Sequence, residues 1–461
     1  MFEPDELAPL ADALRALNLG FIDLPPARSG ASPPDIARTR PGAGSDDVRS
    51  VLLRTAERLR DNFPYHHPLY VGQMLKPPHP VARLAYSLAM HLNPNNHALD
   101  GGRASSAMEK ECVAAIARMF GWEVCLGHLC GGGTIANFEA LWVARELAPG
   151  RAIVASAQAH YTHARLSSVL GVPFRPIATD ALGRMDVAAL EGELARGDVG
   201  TVVATLGTTA AGTVDPLPQI LALRQRFGFR LHADAAYGGY FRLAANLAGP
   251  GRAAFDAIFE ADSIVVDPHK HGLQPYGCGC VLFRDPSVGG IYRHDSPYTY
   301  FSSGDLHLGE ISLECSRAGA AAVALWATMQ LLPLERGGAF AHGLESGRDA
   351  ALRLHEALAR DRRFAPLLVP ELDIVVWAVR AGTATEASSR ARAIFDAAAA
   401  ESLHLALAGF PRELVEPAGA IARWDAEHVT CLRACVMKPE HAECLDEILM
   451  RLDRASAACG L

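Results

Sequence analysis

Residues 261–272 read A-D-S-I-V-V-D-P-H-K-H-G. The apolar run Ile264-Val265-Val266 has the length and branching of a buried strand. It stops at Asp267-Pro268, because proline cannot donate to a sheet ladder. His269, Lys270 and His271 follow at once. An ammonium at the end of a buried strand loses hydration, and desolvation favours the neutral amine, the nucleophile that forms a Schiff base with an aldehyde. A surface lysine after a strand would read the same in these residues alone. What the other strand ends carry has to decide between the two.

Outward from this stretch, strand candidates fall at residues 152–155, 174–178, 201–205, 229–233, 263–266 and 279–283. Helices are expected at 135–147, 186–196 and 217–227 between them. Such alternation predicts an α/β domain with a largely parallel sheet. In an open sheet of that kind, ligands gather beyond the carboxyl ends of the strands.

Three of those ends, and the start of one helix, carry chemistry besides Lys270. Gly131-Gly132-Gly133-Thr134 precedes the helix at 135–147. Glycines let a backbone approach a ligand, and free amides at a helix N-terminus favour an anion, so this is a candidate phosphate cradle with Thr134 adding a hydroxyl. A tight turn would read the same, and the spacing is neither a Walker loop nor a dinucleotide fingerprint. His160, in S-A-Q-A-H-Y-T-H, can stack on an aromatic ring or act as acid or base, or be structural. With His163 it makes an i, i+3 pair, but no third ligand follows at metal-site spacing. Thr205-Leu206-Gly207-Thr208-Thr209 offers hydroxyls to a ligand, or a polar turn. Asp234, in L-H-A-D-A-A-Y-G-G, can hold a pyridinium nitrogen protonated, with Ala236 leaving room for a flat ring; a helix N-cap is the other reading. An anion cradle, a ring-stacking group, a carboxylate for a ring nitrogen and a lysine for an aldehyde are together what pyridoxal 5'-phosphate requires.

The flanks are less informative. Residues 4–20 carry a short amphipathic helix and 25–45 a loop rich in Pro, Gly, Ser and Ala, before helical periodicity resumes at 48–61. The segment 63–74, F-P-Y-H-H-P-L-Y-V-G-Q-M, lines a pocket or packs as a loop. Helices are expected at 81–92 and 105–120, the latter with Ser105 or Ser106 as N-cap and Glu109 near capping-box spacing. Residues 318–332 are almost wholly apolar, which predicts a helix buried on all sides. After residue 337 a smaller α+β unit is expected, with strands near 372–379 and 428–436. The division is therefore an N-terminal helical segment (1–95), a large α/β cofactor-binding domain (96–335) and a small C-terminal α+β domain (336–461).

Composition agrees with an enzyme of this kind. At 461 residues and 50% hydrophobic, the chain can bury a sizeable core. The net charge of −8 and the lack of a basic stripe argue against nucleic acid. Ten scattered cysteines without paired CxxC sets give no structural metal and suggest a reducing compartment. The acidic start M-F-E-P-D-E-L does not read as a signal peptide, and no stretch reads as a membrane span. A cytoplasmic, soluble protein is expected.

The motifs G-G-G-T-I-A-N (131–137), Q-A-H (158–160), T-L-G-T-T (205–209), H-A-D-A-A-Y-G-G (232–239) and D-P-H-K (267–270) stand in an order and spacing that can be named. The chain resembles the group II pyridoxal-phosphate-dependent amino-acid decarboxylases, the family of aromatic-amino-acid, glutamate, tyrosine and aspartate decarboxylases. The likeness runs from about residue 60 to about residue 440. It implies the fold-type I, aspartate aminotransferase-like architecture and a homodimer with active sites at the interface. The implied activity is α-decarboxylation of an aromatic or acidic L-amino acid to its amine and CO₂. By the resemblance, Lys270 would form the Schiff base, and His269, Gly133 and Thr134 would hold the phosphate. His160 would stack on the ring, Asp234 would pair with its nitrogen, and Ala236 would lie against its face. Thr209 (or Thr208) would hydrogen-bond near the cofactor or the substrate carboxylate. Arg433 matches an arginine near that carboxylate, Tyr70 sits in the pocket-forming region, and Tyr298 and Tyr300 lie where relatives carry a mobile catalytic loop with the proton donor.

Two departures bear on substrate. H-G-L-Q-P (271–275) replaces the bulky aromatic that often follows the lysine, and looks more like archaeal-type tyrosine/aspartate decarboxylases and, distantly, the sphingosine-phosphate lyase branch. Y-H-H-P-L-Y (65–70) mixes aromatic and imidazole groups. The same cofactor residues would also serve an aminotransferase, a carbon–carbon lyase or a decarboxylation-coupled oxidase. A non-catalytic homologue would be expected to lack Lys270, His160 or Asp234, and all three are present.

Overall fold

The apolar runs become the strands of one large sheet in the computed structural model, which describes residues 12, 45–293 and 306–461. The expected helix over 4–20 and loop over 25–45 (Asp12 and Ser45 apart), and Tyr298 and Tyr300, lie outside the described residues. Among the described residues, seven strands share the sheet. They are β1 (Leu126–Cys130), β2 (Ala152–Ser156), β3 (Phe174–Ile177), β4 (Val199–Thr205), β5 (Arg230–Asp234), β6 (Ser263–Val266) and β7 (Gly279–Phe283), in the order β1-β7-β6-β5-β4-β2-β3. Strands β3, β2, β4, β5 and β6 run parallel. Strand β7 is antiparallel to both β6 and β1. Every residue of β2, β4, β6 and β7 is buried. Burial on both faces is why they read as continuous apolar runs rather than as alternating patterns.

Strand β1 was not expected, since L-G-H-L-C lacks a β-branched run. Its glycine explains its place: a Cβ at Gly127 would lie 2.6 Å from Leu282 Cδ2 and 2.7 Å from Val281 O. Two further expectations need correction. The helix expected from residue 105 is joined across a kink at Gly102 (φ −170°, ψ 63°) to a preceding turn, the whole spanning Leu99–Met119. Ser105 and Glu109 make no capping box; they are buried side chains that hold Asn96, through Ser105 Oγ to Asn96 Oδ1 at 2.5 Å and Asn96 Nδ2 to Glu109 Oε2 at 2.6 Å. The apolar helix, Ala320–Leu331, is covered by Pro80–Met90 and Leu99–Met119 but not all round, because Leu331 is 58% exposed.

A four-stranded antiparallel sheet follows, in the order Ala406–Pro411, His428–Cys435, Ile374–Val379, Phe364–Pro366. Its middle strands were expected. The outer two, A-L-A-G-F-P and F-A-P, carry too much Gly, Pro and Ala to show from propensity. Helix Ala384–Ala400 packs on this sheet and Leu445–Ala458 on that helix.

The chain divides into two compact units, Met1–His67 and Pro68–Leu461. In the first, helix Ser45–Leu59 leaves Val51, Leu52, Leu53 and Leu59 exposed. Both large sheets lie in the second. No helix of the described residues is long and apolar enough to cross a membrane.

Candidate active site

Parallel pairing brings the carboxyl ends of β2, β4, β5 and β6 to one edge, and β1 ends there too because two antiparallel steps restore its direction. A cavity of about 260 Å³ opens at this edge, with Lys270, Asp234, His160, Thr209 and the Gly131–Thr134 loop in its wall.

Lys270 does not stand stripped of partners, as the strand-end argument expects. It is 22% exposed, and its Nζ lies 2.9 Å from Asp267 Oδ2. His269 Nε2 is 3.5 Å from the same oxygen, and its Nδ1 accepts the Cys278 N–H at 3.3 Å. Burial, outweighing the nearby Asp267, pulls the His269 imidazole below its ordinary value. Asp267 Oδ1 is buried with no hydrogen-bond partner among the described residues.

The glycine loop is built as a cradle. The amides of Gly133, Thr134 and Ile135 precede the first intrahelical bond, Ala136 N–H to Gly132 O at 3.0 Å, and no side chain caps this 15-residue helix. Gly132 has φ +141°, and a Cβ there would lie 2.9 Å from His269 Cε1. A Cβ on Gly133 would meet Asp267 Oδ2 at 2.7 Å. Side chains are excluded, and unpartnered amides point out of a helix terminus, which suits a phosphate. Thr205 Oγ1, also in the cavity wall, is buried and unpartnered among the described residues. The residues present therefore fit pyridoxal phosphate. Gly132→Ala is expected to destabilise the fold by about 1–3 kcal/mol through backbone strain. It should also weaken cofactor binding about tenfold, read by thermal unfolding and by absorbance titration.

Asp234 closes β5. Its Oδ1 accepts the Ala236 N–H at 3.1 Å, so the local turn foreseen as an N-cap is real in part. Its Oδ2 accepts from His163 Nε2 at 2.8 Å. His163, fully buried, was considered in the sequence only as half of a metal pair. The pairing with Asp234 spans 71 residues, so no local signal could show it. Behind it, His232 donates from Nε2 to Asn137 Oδ1 at 2.8 Å and contacts Ser263 Oγ at 2.9 Å. Burial pushes the His232 imidazole down to about 3. Burial alone would push Asp234 up, but the hydrogen bond and charge of His163, with His232 and Lys270, hold its carboxyl well below the usual carboxylate range.

A depressed carboxyl contributes stability that is present above the unfolded value, about 3.9 for aspartate, and is lost as pH falls through the lower folded value. His163→Ala removes the hydrogen bond that depresses Asp234. Acid unfolding should therefore begin at higher pH, with a loss near neutrality of about 1–3 kcal/mol for the unpaired buried group. Urea titrations at a series of pH values test this.

His160 lies at the cavity, where its Nδ1 accepts the Thr162 N–H at 3.2 Å and contacts the Thr162 hydroxyl. Burial lowers its imidazole below the ordinary value, despite the nearby Asp234. Ala236 is in the wall. Of the two threonines, Thr209 lines the cavity, whereas the Thr208 hydroxyl is engaged with Thr213 Oγ1 at 2.8 Å.

Tyr70 and Arg433 do not line this cavity. The Arg433 guanidinium is 5% exposed and donates to three carbonyls: Thr209 at 2.8 Å, Ala210 at 3.0 Å and Gly72 at 3.1 Å. It reaches the site through the Thr209 backbone. Tyr70 accepts from Lys438 Nζ through its carbonyl at 2.5 Å and keeps its ring 5.5 Å from that cation.

Residues 66–379 match the family model described as the pyridoxal-dependent decarboxylase conserved domain. An L-tyrosine decarboxylase of Enterococcus faecium is 30% identical, over 77% of this chain and 75% of the relative. A probable L-tyrosine/L-aspartate decarboxylase of Methanothermobacter thermautotrophicus is 29% identical, over 67% of this chain and 82% of the relative. Among solved structures, the Oryza sativa TDC with PLP and tryptamine shares the fold at TM-score 0.77 and 20% identity, with both chains covered in full (100%). The matched stretch holds the whole cavity wall, from the glycine cradle to Lys270. This chain belongs to the pyridoxal-dependent decarboxylase family, enzymes that use pyridoxal phosphate to decarboxylate amino acids.

Proposed function

We propose that the protein removes the α-carboxylate of an L-amino acid of the aromatic or acidic class, tyrosine or aspartate first, to give the amine and CO₂. The observation that carries this reading is the meeting of Lys270, Asp234 and the glycine cradle around one cavity. The names of the relatives support the substrate class. Pyridoxal phosphate, when bound, supplies an aldehyde for a lysine and a ring that takes up the electrons left as CO₂ departs.

The chain's own groups divide the remaining work. Lys270 would hold the cofactor through Nζ in place of its ion pair with Asp267, with His269 remaining beside that carboxylate. The free amides at Gly133 and Thr134, with the Thr134 hydroxyl, bind the phosphate. Asp234, kept ionised by His163, would hold a proton on the ring nitrogen, which would be electrostatic stabilisation of developing negative charge. His160 would stack on the ring, Ala236 would leave space at its face, and Thr209 would offer a hydroxyl to cofactor or substrate. Arg433 steadies the Thr209–Ala210 backbone beside the substrate. Tyr298 or Tyr300 returns the proton to Cα.

A homodimer fits the apolar surface of helix Ser45–Leu59, where Leu52 and Leu53 are each 62% exposed. A cytoplasmic setting fits ten free thiols. Product analysis by mass spectrometry tests the activity. The cofactor-loaded protein is incubated with a pool of proteinogenic amino acids, without keto acid, beside a Lys270→Ala control. An amine equal to one substrate minus CO₂, absent from the control, is expected. A carbonyl product would replace decarboxylation by oxidative or transamination chemistry.

A further inference from the structure

His271 follows Lys270 but faces away from the cavity. It is fully buried, its ring centroid 4.7 Å from that of Tyr237 and 5.0 Å from that of Phe241. Its Nε2 lies 3.4 Å from Asp373 Oδ2. Asp373, 1% exposed, precedes strand Ile374–Val379 of the small sheet. Its Oδ1 accepts the Tyr237 hydroxyl at 2.5 Å. Tyr237 in turn lines the Lys270 cavity, three residues beyond Asp234. One buried carboxylate thus ties the turn after Asp234 to the small sheet by a hydrogen bond and packs against the ring of the residue after Lys270.

A buried carboxylate is a costly way to fill space, since an apolar group of similar size is often as stabilising or more so. What it adds is a single permitted position for the hydroxyl and ring that it holds. We propose that Asp373 is a positioning residue for decarboxylation, fixing Tyr237 and with it the cavity wall between Asp234 and Lys270. The proposal rests on the Lys270 cavity being the active site.

The groups that face Asp373 are Tyr237, His271, Lys76, Arg433 and Cys435, with Glu440 beside Lys76; helix Ala339–Arg360 brings Gly347 near Oδ2. Burial pushes the Asp373 carboxyl up to about 6, against the Tyr237 hydrogen bond and the Lys76 and Arg433 charges. Burial pushes the Lys76 ammonium down to about 8, against Asp373 and Glu440. Protonating Asp373 removes the charged acceptor, so the proposal predicts an acid limb in kcat as pH falls through about 6.

The test uses cofactor-loaded Asp373→Asn, Tyr237→Phe and the double variant. All should keep the bound-cofactor absorbance, because Lys270 is untouched. Each single change should lower kcat about tenfold, as expected for a charge-assisted bond, with KM little changed. The double variant should lose no more than either single one, and Asp373→Asn should lack the acid limb. Additive losses, or a kcat and pH profile like the wild type, would overturn the proposal. If Asp373→Asn does not fold, Tyr237→Phe decides alone: a kcat loss with cofactor retained supports it, and wild-type kcat overturns it. Turnover by Lys270→Ala would instead sink the reading of the cavity, whatever these variants do.

Discussion

Lys270→Ala is expected to lower turnover roughly 10³-fold or more, the scale on which enzymes lose activity when a covalent catalytic group is removed. Among the described residues Lys270 is the one amine in the cavity wall, so no described neighbour there can take over the aldehyde. The change also strands Asp267, 1% exposed, which loses its 2.9 Å partner and among the described residues keeps His269 at 3.5 Å. Lys270→Arg separates the two effects. A guanidinium can still pair with Asp267, but it is too weak an acid to give up its proton and become the neutral nucleophile that the cofactor's aldehyde needs. Both variants should be inactive, with Lys270→Arg the more stable. Borohydride reduction of the loaded wild type, followed by peptide mass mapping, should place the cofactor mass on the peptide containing Lys270. Labelling of another lysine would refute the assignment.

Asp234→Ala should cost about 10²–10³-fold in kcat, the usual loss for one preorganised group aimed at developing charge. KM should change far less, because the ring nitrogen needs its proton most when electrons enter the ring and little during binding. The variant also leaves His163, fully buried, without its 2.8 Å acceptor, so some stability is lost alongside activity. Asp234→Asn keeps the shape and removes the charge; it should show the same kcat loss with a smaller drop in melting temperature. Steady-state kinetics on the amine product check both. Normal turnover by either variant would mean that Asp234 is structural only.

Much of the site was legible because the chemistry sits at strand ends, and strand ends are local features. Ile264-Val265-Val266 followed by proline marks the end of β6 without any tertiary information. The glycine run before a helix and the acid closing an apolar strand are equally local. Strand β1 was not legible, because its glycine answers to Leu282 and Val281 rather than to propensity. Ser105 and Glu109 imitate a capping box, yet they serve Asn96 and the interior of a longer helix.

By itself the sequence determined the fold class, the cofactor and the residues at the parallel sheet's edge, since each follows from short-range pattern: apolar runs, glycines and a lysine after proline. Only the tertiary structure decided which partners those residues keep. His163 on Asp234, Asp267 on Lys270 and Asp373 on Tyr237 are contacts between side chains, and Arg433 on three carbonyls is one between side chain and backbone. All but Asp267–Lys270 join residues far apart in the chain. The physical reason is that a buried polar group must be satisfied, but any element the fold brings near can satisfy it. The sequence announces the need for a partner, and the packing chooses it.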